Sequence, residues 1–106
     1  MGFINFIFGS KKRQVEGYLK KGAIILDVRT KKEWDNGHIE NAMHIPLDDL
    51  HNRVDDLKKL NKPIITCCQS GVRSGKAAQF LNLNNLEAIN GGGWASLKRK
   101  LCNYWA

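Results

Sequence analysis

Residues 63–74 read Pro-Ile-Ile-Thr-Cys-Cys-Gln-Ser-Gly-Val-Arg-Ser, an apolar run that ends in two cysteines and passes through a glycine turn. The apolar run, residues 63–67, is typical of a parallel strand buried on both faces. The residues that follow, 74–83, place small and apolar side chains at helical spacing. Because ligands bind at the carboxyl ends of the strands in open parallel sheets, we expect the functional site just after Cys67.

Strand and helix patterns alternate on both sides of this stretch. Further strands are predicted over residues 23–28, 42–45 and 86–89, and further helices over residues 30–34, 47–60 and 94–101. Thr30 and Glu33 have the spacing of a capping box for the first of these helices, and a turn is predicted at Gly91-Gly92-Gly93. The alternation predicts an α/β fold, with an open, mainly parallel sheet of four to five strands and helices on both faces.

Length and composition restrict the function further. The chain has 106 residues, 42% of them hydrophobic, and no apolar run approaches the roughly 20 residues of a membrane-spanning helix. Three cysteines are too few for a disulfide scaffold, so reduced thiols and a cytoplasmic location are expected. The net charge of +7 favours small anions, but the basic run 98–100 lacks interleaved aromatic residues, so no nucleic-acid partner is predicted.

Residues 1–19 form an apolar and basic segment that precedes the predicted domain, residues 20–106. Its apolar residues are Phe3, Ile4, Phe6, Ile7 and Phe8, and the basic residues Lys11, Lys12 and Arg13 follow them. One hypothesis is that the segment packs on the domain or pairs with a second copy of the chain. The other is that residues 1–13 contact a membrane surface, which would make the protein membrane-peripheral. The sequence leaves this choice and the oligomeric state open.

Cys68 is the candidate nucleophile. A thiol at the start of a helix and near the guanidinium of Arg73 is expected to have a lowered pKa. Gly71 permits a tight turn whose backbone N–H groups point inward and form a nest for an anion. The pattern therefore predicts a reactive thiolate held by the residues that follow it, Gln69, Ser70, Gly71, Val72, Arg73 and Ser74.

Several motifs of this chain resemble those of the rhodanese-like sulfurtransferases. Residues 68–74 resemble the active-site loop of that family, Cys-x-x-Gly-x-Arg-Ser. The other matching motifs are Leu-Asp-Val-Arg at 26–29, Glu-Trp at 33–34, Gly-His-Ile at 37–39, Ala42, Ile-Pro at 45–46 and Gly-Gly with Trp at 91–94. The likeness spans about residues 23–97 in the order of the family and shows no second repeat, which implies a stand-alone rhodanese-like domain.

The resemblance implies a sulfurtransferase that needs no cofactor. The Cys68 thiolate would take the outer sulfur of a small anionic donor such as thiosulfate, become a persulfide, and pass the sulfur to a thiol or to cyanide. The backbone amides of residues 69–74 would hold the persulfide, and Arg73 would either steer the donor or brace the loop. Asp27 and Arg29 end the first strand and are expected to support the loop from behind.

The remaining polar and aromatic residues are expected to be structural. Arg29 is expected to form an ion pair with Glu33, and His38 fits a turn. His38, His44 and His51 lack ligand spacing, so no metal site is predicted. The three tryptophans, Trp34, Trp94 and Trp105, are expected to pack in the core or between helices.

Two alternative functions stay open. Cysteine phosphatases use the spacing Cys-x5-Arg, which this chain has if the count starts at Cys67. Counted from Cys67, Gly71 lies four residues after the cysteine, whereas the phosphatase pattern places glycine three residues after it. Cys67 also belongs to the predicted strand. The Cys-x4-Arg spacing from Cys68, and with it sulfur transfer, is therefore favoured. Some rhodanese-like domains are non-catalytic binding modules, but the presence of both Cys68 and Arg73 favours an enzyme.

Overall fold

The structure is a computed structural model that describes the backbone of residues 2–105 and the side chains of residues 11–104. Its α-helices are α1 (Gly2–Lys20), α2 (Lys31–Asp35), α3 (Val54–Leu60), α4 (Val72–Leu83) and α5 (Trp94–Trp105). Its strands are β1 (Ile24–Asp27), β2 (Met43–His44), β3 (Ile64–Cys68) and β4 (Ala88–Gly93), and a 3-10 helix spans Leu47–Asn52.

The four strands form one parallel sheet in the order β2-β1-β3-β4. β1 and β3 are the central strands, with Ile24 paired to Ile64 and Asp27 paired to Cys67. Because every strand runs the same way, the carboxyl ends of β1, β3 and β4 meet at one edge of the sheet. The predicted α/β class, the parallel sheet and the number of strands are confirmed.

Alternating side chains of the sheet form two apolar cores, one on each face. On one face, Leu26 and Ile64 pack with residues of the 3-10 helix, α3 and α4, which include Leu50, Leu57 and Leu81. On the other face, the core residues are Ile25, Ile65, Cys67, Val15 of α1, and Leu97 and Leu101 of α5. All five residues of β3 are buried, as its uninterrupted apolar run predicts.

The predicted single helix over residues 47–60 is wrong. A 3-10 helix ends at Asn52, and α3 begins at Val54 after Arg53, whose φ of −116° is not helical. Leu47 and Leu50 are three residues apart, which is one turn of a 3-10 helix, so the tighter form brings both side chains to the core. Leu57 is fully buried, whereas Leu60, the last residue of the predicted helix, is partly exposed.

The predicted turn at Gly91-Gly92-Gly93 belongs instead to β4, which starts later and ends later than predicted. A Cβ at Gly91 would lie 2.7 Å from Ile65 Cγ2, and one at Gly93 would lie 2.8 Å from the Gln69 carbonyl oxygen. Glycine is therefore needed here so that β4 can approach β3 and the loop after it closely. α5 continues past the predicted end at residue 101, to Trp105.

The N-terminal segment is helical, and its later part packs on the domain. Val15 is buried in the core beside α5, and Tyr18 and Leu19 pack against the same core. The predicted boundary between residues 19 and 20 stays a prediction. The side chains of the five apolar residues 3, 4, 6, 7 and 8, and that of Trp105, lie outside those described. Among the helices that the structure describes, none is long and apolar enough to cross a membrane.

Candidate active site

Cys67 and Cys68 are the last two residues of β3, and they belong to the cores on opposite faces of the sheet. This orientation agrees with the alternation of side chains along a strand. Cys67 is packed in the apolar core between the sheet, α1 and α5. Of the two, only Cys68 is directed toward the loop that connects β3 to α4. Cys68 is 1% exposed.

The Cys68 sulfur accepts three hydrogen bonds from that loop and from the first turn of α4. The backbone N–H of Gly71 lies 3.0 Å from Sγ, that of Ser74 lies 3.3 Å away, and the Ser74 hydroxyl lies 3.2 Å away. Gly71 is the N-cap of α4 with a φ of +100°, a conformation that residues other than glycine rarely adopt. The side chains of Gln69, Ser70 and Val72 are exposed on the outside of this loop.

The surroundings of the two thiols give them opposite ionisation behaviour. Burial by itself would raise the pKa of Cys68, but the hydrogen bonds from Ser74 and Gly71 together lower that pKa below its ordinary value. Burial, with the nearby Asp27 carboxylate, raises the pKa of Cys67 to about 12. The thiolate that a nucleophile requires is therefore favoured at Cys68 and disfavoured at Cys67.

Arg73 forms a bidentate ion pair with Glu33 of α2. Its two terminal nitrogens lie 2.7 and 2.9 Å from the Glu33 carboxylate oxygens. Hydrogen bonds from Arg73, and then from the Thr30 backbone, lower the pKa of Glu33 to about 2. Thr30 and Glu33 also form the predicted capping box of α2. The first turn of α4 is thus tied to α2, across 40 residues of sequence.

Asp27 and Arg29 lie behind this site, at the end of β1, as an almost completely buried ion pair. Arg29 Nε lies 3.0 Å from Asp27 Oδ1, and Nη2 lies 2.8 Å from Oδ2. The expected ion pair between Arg29 and Glu33 is wrong, because Arg29 instead donates to the backbone carbonyls of Glu33 and Gly37. Arg29 therefore reaches the loop indirectly, through the α2 segment that carries the partner of Arg73.

Asn90 of β4 is a site residue that the sequence analysis missed. Its Oδ1 lies 2.7 Å from the Ser74 hydroxyl, within hydrogen-bond distance, and its Nδ2 donates to the Gly71 carbonyl at 2.9 Å. It therefore contacts two of the residues that hold the Cys68 sulfur. In the sequence, Asn90 is marked only by its position directly before Gly91-Gly92-Gly93. No local pattern connects it to Ser74, which lies 16 residues earlier.

Trp34 stacks between two histidines on the α2 side of the sheet edge. Its ring centroid lies 3.6 Å from that of His38 and 4.7 Å from that of His44. Trp94 packs against Arg29, whose guanidinium lies 4.6 Å from its ring centroid. Among the side chains that the structure describes, no group of three or more His, Cys, Asp or Glu residues could hold a metal ion.

The parallel sheet, the thiol at the end of β3 and the amide-lined loop agree with one family model. The model of the rhodanese-like domain matches residues 11–100 of this chain. The chain belongs to the rhodanese-like domain family. The match begins within α1 and includes Val15, so it reaches beyond the motifs that suggested the family.

Two bacterial proteins are similar to this chain. The uncharacterized protein YqhL of Bacillus subtilis is 42% identical over 73 residues, which cover 69% of this chain and 56% of YqhL. Thiosulfate sulfurtransferase GlpE of Pseudomonas syringae is 27% identical over 84 residues, 74% of this chain and 76% of GlpE. The chain thus spans little more than half of the length of YqhL.

A solved structure supports the fold. The crystal structure of a rhodanese-like domain protein from Staphylococcus aureus superposes with a TM-score of 0.61 and is 35% identical. The alignment covers 72% of this chain and 74% of that protein. The expected rhodanese-like fold is therefore confirmed.

Proposed function

We propose that this rhodanese-like domain is a sulfurtransferase that carries sulfur as a persulfide on Cys68. The observation that carries the proposal is the set of three hydrogen-bond donors around the Cys68 sulfur, at the carboxyl end of a central strand. Such donors stabilise a thiolate before the reaction and a negatively charged terminal sulfur after it. The name of the similar GlpE protein, a thiosulfate sulfurtransferase, supports thiosulfate as the donor class.

The reaction has two steps at the same sulfur. In the first step, the Cys68 thiolate attacks the outer sulfur of thiosulfate, a new S–S bond forms, the S–S bond of thiosulfate breaks, and sulfite leaves with the bonding electron pair. In the second step, a thiol or cyanide attacks the outer sulfur of the persulfide, and the Cys68 thiolate is regenerated. Electrons balance within each exchange, so no cofactor is required, and ping-pong kinetics are expected.

In this proposal Arg73 braces the loop instead of steering the donor. Both terminal nitrogens of Arg73 are engaged by Glu33. Because the pKa of Glu33 is lowered to about 2, its carboxylate stays charged and the pair stays formed throughout the neutral range. Arg73 then positions the first turn of α4, whose N–H groups point at the sulfur.

Turnover of thiosulfate and cyanide to sulfite and thiocyanate tests the proposed function directly. We expect catalysis that saturates with both substrates and gives parallel lines in double-reciprocal plots, as a two-step exchange requires. If the folded protein forms a persulfide on Cys68 but shows no turnover, it carries sulfur without passing it to cyanide. Absence of both turnover and persulfide would favour the binding-module alternative.

The ionisation of Cys68 leads to a pH prediction. Since the hydrogen bonds to the sulfur lower the pKa of Cys68, its thiolate should persist to a lower pH than a free thiolate, whose pKa is about 8.5. The rate of alkylation by iodoacetamide should therefore rise with pH and reach its midpoint below that value. A midpoint at or above the free-thiol value would show that the donors around Cys68 do not hold the thiolate.

We also propose that residues 1–13 contact a membrane surface beside the sulfurtransferase site. α1 leads directly into β1, so the beginning of α1 lies toward the carboxyl edge of the sheet, and Lys11 Nζ there donates to the Asn90 carbonyl at 2.6 Å. The segment before Lys11 contains the five apolar residues and no charged side chain. Lys12 and Arg13 are exposed, which suits contact with anionic headgroups, whereas Lys11 is bound to the domain.

Removal of residues 1–9 separates the two proposals. The truncated protein should keep its sulfur transfer, because Lys11 and every residue around Cys68 remain. It should lose the flotation with phosphatidylglycerol vesicles that we expect of the full chain, since the apolar residues are gone. Equal flotation of both forms would contradict the membrane contact, and loss of activity in the folded truncated protein would show that residues 1–9 contribute to the site.

A further inference from the structure

The side chain of Asn90 is held in one orientation by two backbone groups. Its Nδ2 donates to the Gly71 carbonyl at 2.9 Å, and its Oδ1 accepts from the Gly92 N–H, also at 2.9 Å. A carbonyl can only accept and an N–H can only donate, so a flipped amide would lose both bonds. Oδ1 of Asn90 is therefore the atom that faces Ser74, and it can only accept.

The Ser74 hydroxyl lies between this oxygen and the Cys68 sulfur. Ser74 is completely buried, and its Oγ lies 2.7 Å from Asn90 Oδ1 and 3.2 Å from Cys68 Sγ. A serine hydroxyl has a single proton to donate. Asn90 Oδ1 and the Cys68 sulfur can both accept that proton, and only one of them receives it at a time.

The ionisation state of Cys68 determines which acceptor receives the proton. A neutral Cys68 can donate its own S–H to Ser74 Oγ, while the Ser74 O–H donates to Asn90, so every group has a partner. A thiolate has no proton to donate, and hydrogen bonds to charged acceptors are stronger than those between neutral groups. When Cys68 ionises, the Ser74 hydroxyl therefore rotates toward the sulfur, and Asn90 Oδ1 keeps the hydrogen bond that it accepts from the Gly92 N–H.

We propose that Asn90 is a positioning residue that acts through Ser74: its Oδ1 competes with Cys68 for the hydroxyl proton and thereby limits how strongly Ser74 favours the thiolate. The inference deepens the proposed function, on which it rests, because it concerns the ionisation of the same sulfur. In this arrangement the hydroxyl has a partner before Cys68 ionises, and it can turn to the sulfur without movement of the backbone.

Other charged or titratable groups surround Cys68, and an Asn90 variant changes none of them. They are Cys67 in β3, the Asp27–Arg29 pair behind the strand, the Arg73–Glu33 pair at the start of α4, and Lys11, which donates to the backbone carbonyl of Asn90. Their influence on the pKa of Cys68 is therefore the same in the protein before and after substitution of the Asn90 side chain.

The direction in which the pH midpoint of Cys68 alkylation shifts in Asn90→Ala tests the proposal. In Asn90→Ala the Ser74 hydroxyl has no competing acceptor, so we expect the pH midpoint of Cys68 alkylation by iodoacetamide to fall by about half a unit. If Asn90 only held the loop in shape, its loss would misalign the donors and the midpoint would rise. An unchanged or raised midpoint would therefore overturn the proposal. The exposed Cys102 is replaced by serine in every protein compared, so that the rate reports Cys68.

Two further variants show whether the effect passes through Ser74. Ser74→Ala alone should raise the midpoint by about one unit, because it removes a hydrogen bond to a charged sulfur. In the Ser74→Ala background, Asn90→Ala should cause no further fall, since no hydroxyl proton remains to be released. An equal fall in both backgrounds would show that Asn90 does not act through Ser74.

Asn82 provides a matched control for the loss of a backbone-binding asparagine. Its side chain makes two hydrogen bonds to the backbone of Ala88, at the opposite end of β4 from Cys68. Asn82→Ala should change the stability but leave the alkylation midpoint where it is. Alkylation is measured without a sulfur donor, so its outcome is independent of sulfur transfer. A lowered midpoint in Asn90→Ala, together with a lack of both turnover and persulfide in the unsubstituted protein, would reject the proposed function and retain this inference.

Discussion

Replacing Cys68 with serine is expected to abolish sulfur transfer from thiosulfate to cyanide, whereas replacing Cys67 with serine should retain most of it. The physical reason is the opposite orientation of the two side chains at the end of β3. The Cys68 sulfur accepts the hydrogen bonds of the loop, while Cys67 is buried in the core on the other face. Burial also raises the pKa of Cys67 to about 12, so almost no thiolate forms there at neutral pH.

Mass spectrometry gives the second measurement of this prediction. After incubation with thiosulfate, the unsubstituted protein should gain the mass of one sulfur atom on Cys68, and the Cys68→Ser protein should gain none at residue 67. A serine hydroxyl buried at position 67 could cost stability for want of a partner, so Cys67→Ala serves as the matched variant. Inactivity of both folded Cys67 variants, or hydrolysis of an aryl phosphate, would favour the phosphatase register counted from Cys67.

Replacing Arg29 with leucine is expected to destabilise the domain by about 3–5 kcal/mol. Arg29 and Asp27 have side chains that are 2% and 0% exposed, so the substitution would leave the Asp27 carboxylate buried without its partner. It would also remove the bonds to the Glu33 and Gly37 carbonyls and the contact with Trp94. For a domain whose total stability is on the order of 5–15 kcal/mol, the loss should be visible as a large fall in the urea midpoint.

The exposed ion pair between Lys31 and Asp35 is the control for this prediction. Its side chains are 78% and 55% exposed, and its two residues are four apart on α2. Lys31→Leu should therefore change the urea midpoint only slightly, because water and salt screen an exposed pair. A similarly small effect for Arg29→Leu would mean that the buried pair does not stabilise the fold.

Local patterns in the sequence were sufficient to predict most of the fold. The apolar run of β3 predicted a strand buried on both faces, and the Thr30–Glu33 spacing predicted the capping box of α2. The opposite orientation of Cys67 and Cys68 follows from the period of a strand. These features depend on residues within a few positions of one another, which is the range over which backbone hydrogen bonding and side-chain alternation act.

The sequence alone also determined the position of the candidate thiol and the residues of its loop, because one continuous segment, residues 68–74, contains them. It did not determine the partners of that loop. Glu33 pairs with Arg73 across 40 residues, and Asn90 reaches Ser74 across 16. Only the tertiary structure decided these contacts, because the parallel sheet brings the carboxyl ends of β1, β3 and β4 to one edge, together with the helices that follow β1 and β3. A side chain at that edge bonds to whichever group the neighbouring strand or helix presents.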